Sequence, residues 1–211
     1  MSDLYASMAE SVVSGDIAEI KKLIQQALSD GDKAQKILEK GLLPGMGFVG
    51  ERFKNGEMFI PEVLLSAKTM SAAMEVLRPL LSEAESKGVG TIVIGTVAGD
   101  IHNIGKNLVA MLLEGAGFKV IDLGIDVPSE KFVDAVKTER PNMVGLSALL
   151  TTTMPKMKEV IDRLTETGLR KSVKVIIGGA PVTEKFARDI GADGYAPNGG
   201  EAVTIARALL A

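Results

Sequence analysis

Five short runs in the second half of the chain constrain its fold most: "TIVIGTV", "FKVIDLG", "NMVGLSAL", "VKVIIGG" and the weaker "DGYAP". The first four are rich in Val and Ile and apolar at consecutive rather than alternate positions. Strands read this way when both faces are covered, as in a parallel sheet. Between them lie helix-periodic segments, "KNLVAMLLEGAG", "SEKFVDAVKTE", "TMPKMKEVIDRLTETG" and "VTEKFARDIG", and "GEAVTIARALLA" follows the last. Strand and helix alternating about five times predict a doubly wound α/β domain with a parallel sheet. Such folds bind ligands beyond the carboxyl ends of the strands. The candidate loops are therefore 98–106, 124–128, 147–153, 178–182 and 196–200.

The first half has a different rhythm. "LYASMAESVV" and "DIAEIKKLIQQAL" place apolar residues three and four apart, and Asp16 stands as an N-cap before the second run. "DKAQKILEKGLLPGMGFVGERFKNG" predicts helix, turn and helix, with Gly41, Pro44 and Gly45 as punctuation. Pro61 opens a long helix, "PEVLLSAKTMSAAMEVLRPLLSEAESKG", with a bend at Pro79. The expectation is an all-α bundle of about four helices over residues 1–88 and the α/β domain over 89–211. Gly88 and Gly90 between them suit a hinge or an ordinary linker equally.

Composition removes several classes of function. The chain of 211 residues has 46% hydrophobic residues, enough for a packed core, and no apolar run near the ~18 residues of a membrane span. Its start shows no signal-peptide pattern, and with zero Cys a disulfide framework is excluded; a cytoplasmic location is expected. A net charge of -3 argues against a broad nucleic-acid surface. With one His and no Cys, the chain alone cannot assemble a zinc site of the usual kind.

That one histidine, His102, stands in "GDIHNIGKN", directly after the first strand. Read blandly, it is a polar loop residue, Asp100 caps the following helix, and Gly105 permits close helix packing. Read functionally, an imidazole that binds a metal through one nitrogen needs a partner for the other, and Asp100 supplies a carboxylate across a turn. Gly105 then leaves space for a bulky ligand. Ser147 and Thr151 have a similar ambiguity as strand-end polar residues, and Gly178 and Gly179 are common loop glycines when taken alone.

The loop "DIHNIG" matches the Asp-x-His-x-x-Gly signature of the cobalamin-binding domain. The resemblance continues through "GLSALLTTTM", "VIIGGAPVT" and "ADGYAPNGGEAV", in the same order and at strand ends. It implies a flavodoxin- or Rossmann-like domain in which His102 is the lower axial ligand of cobalt. It also implies a relay through Asp100 and Ser147, with Thr151 near the detached nucleotide tail and Gly178 and Gly179 giving the tail backbone clearance. Gly99, Ile101, Asn103, Ile104 and Gly105, then Leu149, Thr152, Ala180, Tyr195 and Gly199, are the remaining expected cofactor contacts in these stretches.

In the first half, "GERFKNGEMFIPEVLLSAKTM" resembles the helical cap of corrinoid methyl carriers, with Glu51, Phe53, Gly56, Phe59, Pro61, Glu62 and Met70 in the family's pattern. Met46, Met58, Met70 and Met74 could line the methyl-bearing face of the corrin or simply fill the bundle core; Met70 and Met74 are the two placed among the cofactor contacts.

The combination is similar to the corrinoid proteins of methylamine, methanol, methoxyarene and betaine methyltransferase systems, and to the cobalamin portion of methionine synthase. It implies cobalamin, alternating between cob(I)alamin and methylcobalamin, as carrier of a methyl group in one-carbon metabolism. The implied partners are a substrate:corrinoid methyltransferase, a corrinoid:acceptor methyltransferase and a reductive activase. By this reading the chain is not catalytic without them. An adenosylcobalamin mutase subunit shares the His loop but not usually the cap. A cobalamin-dependent sensor shares both, and usually carries Trp in the cap, of which this chain has none.

Overall fold

Residues 2–81 and 89–210 are described by a computed structural model of the chain. Two compact units divide it: Met1–Gly88 with Glu114–Gly117, and Val89–Leu113 with Phe118–Ala211.

The helical unit contains α1 (Ser2–Ser14), α2 (Ile17–Ser29), α3 (Ala34–Ile37), α4 (Leu43–Lys54) and α5 (Ile60–Leu77). Asp16 caps α2 as its position predicts, accepting the Glu19 N–H at 2.9 Å. Glu62 does the reverse for α5, its carboxylate accepting the Phe59 N–H at 2.8 Å. Ile20, Leu23, Ile24 and Ala27 form the buried stripe of α2.

Two expectations from proline and glycine are corrected. No turn separates α3 from α4: a wide helical turn over Leu38–Leu42 joins them into one rod. Gly41 and Gly45 are buried there because α1 packs on them; a Cβ at Gly41 would meet Met8 Sδ at 2.8 Å, and one at Gly45 would meet the Ala9 carbonyl at 2.8 Å. They are contact points between helices, not breaks. Pro79 ends more than it bends. The α-helix stops at Leu77, Arg78–Leu80 form a tight 3₁₀ turn, and the backbone is extended at Leu81. Proline has no N–H to continue the ladder. The rest of the expected long helix, and Gly88, lie outside the described residues.

The second unit is a five-stranded parallel sheet with strand order β2-β1-β3-β4-β5. Its elements are β1 (Gly90–Thr96), α6 (Ile104–Gly115), β2 (Phe118–Asp122), α7 (Ser129–Glu139), β3 (Met143–Ser147), α8 (Pro155–Glu166), β4 (Lys174–Gly178), α9 (Glu184–Ile190), β5 (Gly194–Ala196) and α10 (Gly199–Leu210). The consecutive apolar positions do what two-sided burial requires. Val93, Val144, Leu146, Val175 and Ile177 enter one core with Phe132, Met157, Val160 and Leu164 from the helices. Gly90 is the first residue of β1, paired in the sheet with Phe118.

The register places the site. Thr96, Ser147, Gly178 and Ala196 are paired across four strands, so the chain leaves β1, β3, β4 and β5 at one level. Strand order reverses between β1 and β3, and the loops after those two strands flank the crevice that such a reversal opens.

Candidate functional site

The loop after β1 makes a turn at Val97–Asp100, with Gly99 at φ +79° and the Asp100 N–H donating to the Val97 carbonyl at 3.1 Å. Asp100 is thereby turned inward and its side chain is fully buried, while the His102 side chain is 45% exposed. The Asp100 Oδ1 accepts the His102 backbone N–H at 3.1 Å and lies 2.7 Å from Nδ1 of the ring. A carboxylate only accepts, so Nδ1 carries the proton and Nε2 keeps its lone pair, on the exposed side chain.

The second oxygen of Asp100 serves the loop after β3. Oδ2 accepts the Leu149 N–H at 2.7 Å, the Leu150 N–H at 3.3 Å and the Thr153 hydroxyl at 2.8 Å. The Leu150 carbonyl is 2.9 Å from the same hydroxyl, but the charged oxygen is the stronger acceptor for its single proton. Burial alone raises the Asp100 carboxyl. The donated hydrogen bonds from Leu149, from the His102 backbone and ring, and from Thr153 outweigh it and hold the group well below the usual carboxylate range. Asp100 is a fixed anion that ties two loops together.

The residues expected here fall into three groups. Gly99, Asp100, Ile101, His102, Asn103, Ile104, Gly105 and Leu149 are gathered around this anion and the start of α6. Asn103 accepts the Asn107 N–H at 2.8 Å, so it rather than Asp100 occupies the capping position of α6. A Cβ at Gly105 would meet nothing within 4 Å, so the space beside the helix start is open.

Thr151 and Thr152 are exposed on the same loop as Leu149. Gly178, Gly179 and Ala180 follow β4, Tyr195 is half-buried on β5, and Gly199 is buried at the start of α10. The protein itself requires glycine at 179: φ is +136°, and a Cβ would sit 1.8 Å from the Ala148 carbonyl oxygen. Gly178 is similarly pressed by the Ala196 carbonyl, at 2.8 Å.

Two further candidates have other surroundings in the structure. Ser147 makes no hydrogen bond to Asp100; at the strand end it stands level with Thr96, and the hydroxyl that reaches the carboxylate is six residues further on, at Thr153. Met70 is 3% exposed, on the buried stripe Val63, Ala67, Met70, Ala73 and Leu77 of α5, where it is a core side chain; Met74 is half-buried.

The sequence reading missed Thr153, Thr96 and Asp126. Thr153 was visible only as one of three adjacent threonines. Thr96, fully buried, donates to the His102 carbonyl at 2.9 Å, and Asp126 accepts the Gly99 N–H at 2.7 Å.

Large apolar side chains are exposed on the His102 loop and on the loops bonded to it. Ile101 and Ile104 are 70% and 74% exposed, and Ile125, Leu149 and Leu150 are exposed on the two loops bonded to the Asp100 loop. No group of three His, Cys, Asp or Glu side chains that could hold a metal ion occurs among the described residues. One imidazole does not retain a metal ion by itself, so a metal bound here would need further donors from outside these side chains. An oriented imidazole within an apolar rim fits a metal held in a broad, largely apolar macrocycle.

Comparison with known proteins agrees. A B12 binding domain family model matches residues 90–204 and a second B12 binding domain model matches residues 4–78; the chain belongs to the B12-binding family. Cobalamin is the cofactor of this chain.

Over 210 residues it is 45% identical to dimethylamine corrinoid protein 1 of Methanosarcina acetivorans, covering 99% of this chain and 98% of the relative. It is 41% identical to trimethylamine corrinoid protein 1 of the same organism, covering 99% and 97%. Among solved structures it is similar to a chain of the methanol:cobalamin methyltransferase complex of Methanosarcina barkeri. There the TM-score is 0.87 and the identity 34%, covering 99% of this chain and 80% of that one.

Proposed function

We propose that this chain carries a methyl group on cobalamin between two methyltransferases, with His102 as the lower ligand of the cobalt. The exposed imidazole held at Nδ1 by a buried anion, at the strand-order reversal of the sheet, carries the proposal. Cobalamin, when bound, supplies a cobalt centre able to take a methyl group from a donor and give it to an acceptor.

The protein's own residues orient and hold. Asp100 keeps the proton on Nδ1 of His102, so Nε2 presents its lone pair without the ring having to turn. The Leu149 and Leu150 amides and the Thr153 hydroxyl keep Asp100 ionised, which makes it a poor acceptor of that proton. Ile101, Ile104, Leu149 and Leu150 are exposed apolar side chains that would give a bound corrin apolar surface and keep water from it. Gly105 leaves room for it, and the loops at Thr151, Gly178, Gly179 and Gly199 are the candidates for the nucleotide tail.

The donor class is a methylated amine, a reading supported by the dimethylamine and trimethylamine corrinoid proteins among its relatives. The partners are then a substrate:corrinoid methyltransferase, a second methyltransferase for the acceptor, and a reductive activase, in the cytoplasm. No described helix is long and apolar enough to cross a membrane.

The test is His102→Ala. With hydroxocobalamin, the parent should retain the cofactor through desalting with the visible spectrum of an imidazole-ligated cobalt. The variant should lose that spectrum and retain the cofactor at least several-fold less well. A variant indistinguishable from the parent would remove His102 from the site.

A further inference from the structure

His102 is aimed by Asp100, but Asp100 belongs to the same short loop. The pair can be no better placed than the loop itself, so what fixes the loop matters. Three of its backbone groups are held by two residues outside it. The His102 carbonyl accepts from the Thr96 hydroxyl at 2.9 Å. The Gly99 N–H donates to Asp126 Oδ1 at 2.7 Å, and the Asp126 N–H donates to the Asp100 carbonyl at 3.0 Å.

Neither residue is an ordinary occupant of its position. Thr96 is fully buried at the last position of β1, and among the described residues its hydroxyl has no partner besides the His102 carbonyl. A buried hydroxyl without its acceptor is costly, so this bond holds the His102 carbonyl firmly. Asp126 has φ +50°, the left-handed conformation that few residues besides glycine, asparagine and aspartate adopt. That conformation is what lets it contact the His loop twice, by its side chain and by its N–H. Around it the loop after β2 runs in parallel with the end of β1: the Thr96 N–H donates to Gly124 at 3.0 Å and the Val127 N–H to Thr96 at 2.9 Å. The strained residue thus sits on a braced segment, as strain at a useful position requires.

We infer that Thr96 and Asp126 are the positioning residues of the histidine loop, setting where Nε2 of His102 stands and hence how fully it ligates the cobalt. This rests on the reading of His102 as the ligand. A ligand bond forms only within a few tenths of an ångström of its proper length, so a loop freed at either end ligates less even when the cofactor is bound.

The single histidine makes the test specific. Protein labelled with nitrogen-15 histidine is loaded with hydroxocobalamin, reduced to the cobalt(II) state, and the nitrogen-15 splitting of the cobalt signal is measured by electron paramagnetic resonance. Thr96→Val removes the hydroxyl and keeps the shape. Asp126→Gly removes the side-chain acceptor and relieves the strain, while Asp126→Asn keeps an oxygen for the Gly99 N–H.

Asp126→Asn should match the parent. Thr96→Val and Asp126→Gly should bind cobalamin at the parental stoichiometry with the His-ligated fraction shifted about five-fold toward the unligated state, the size of one ordinary hydrogen bond. Parental splitting in both Thr96→Val and Asp126→Gly overturns the inference while leaving His102 as ligand. So does loss of splitting in Asp126→Asn equal to that in Asp126→Gly. Absence of nitrogen-15 splitting in the parent itself sinks the ligand reading, and this inference with it.

Discussion

At the scale of single residues, the centre of the site is a buried charge rather than the histidine. Asp100 exposes none of its side chain and accepts bonds from His102, Leu149, Leu150 and Thr153. Asp100→Asn replaces one acceptor oxygen by a donor facing donors. It should cost about 2 kcal/mol or more of stability in the cofactor-free protein. The pH dependence has a definite sign. The folded-state carboxyl is held below its unfolded value, so its contribution is complete above about pH 4 and is lost as pH falls below that. Urea unfolding of parent and Asp100→Asn across pH 3 to 7 checks both. The parent should lose stability relative to the variant as pH falls, and a constant difference between them would contradict the account.

His102 and Asp100 were legible in the sequence because a sole histidine in a strand-end loop has few reasons to be followed by a glycine and preceded by a carboxylate. The relay hydroxyl was not. In "GLSALLTTTM" only backbone geometry decides which hydroxyl comes back to Asp100, and the loop rise after Ser147 delivers Thr153.

At the scale of elements, glycines that look alike in the sequence have opposite reasons. Gly179 is required by the sheet's own backbone, through its φ of +136° and the Ala148 carbonyl at 1.8 Å from a Cβ. Gly105 stands in open space at the start of α6. Gly179→Ala should destabilise the cofactor-free protein by at least about 3 kcal/mol. Gly105→Ala should leave that stability unchanged or raise it by about 0.5 kcal/mol, and should weaken cobalamin binding several-fold. Denaturation without cofactor and hydroxocobalamin titration separate the two; equal stability losses would erase the distinction.

The strands were legible for a simple reason: consecutive Val and Ile leave little choice once both faces are buried. Helix interruptions were less so. Gly41 and Gly45 read as a turn, yet α1 uses their missing side chains for close packing, and tertiary contact overrides the local preference. The end of α5 at Leu77 follows from Pro79, whose effect on the bonds before it the hydrophobic period cannot reveal.

At the scale of the whole molecule, the chain has an α/β unit with a single histidine and a helical unit without any histidine or cysteine. Its relatives are named as corrinoid proteins and it is similar to a chain of a methyltransferase complex, so this chain is a methyl carrier of a methyltransferase system. The division into two units was visible as a change of hydrophobic period near residue 88. The proposed methylated-amine donor takes its support from relatives named for dimethylamine and trimethylamine.

The most direct measurement of the central claim is transfer of isotopically labelled methyl from dimethylamine or trimethylamine to the protein, reconstituted with cobalamin, reduced, and mixed with the cognate amine methyltransferase. About one labelled methyl should travel with each cobalamin-loaded chain through gel filtration, and none with His102→Ala at matched cofactor loading or with the parent lacking the partner. A fully loaded parent that takes no label from any methylated amine in the presence of its partner would contradict the account.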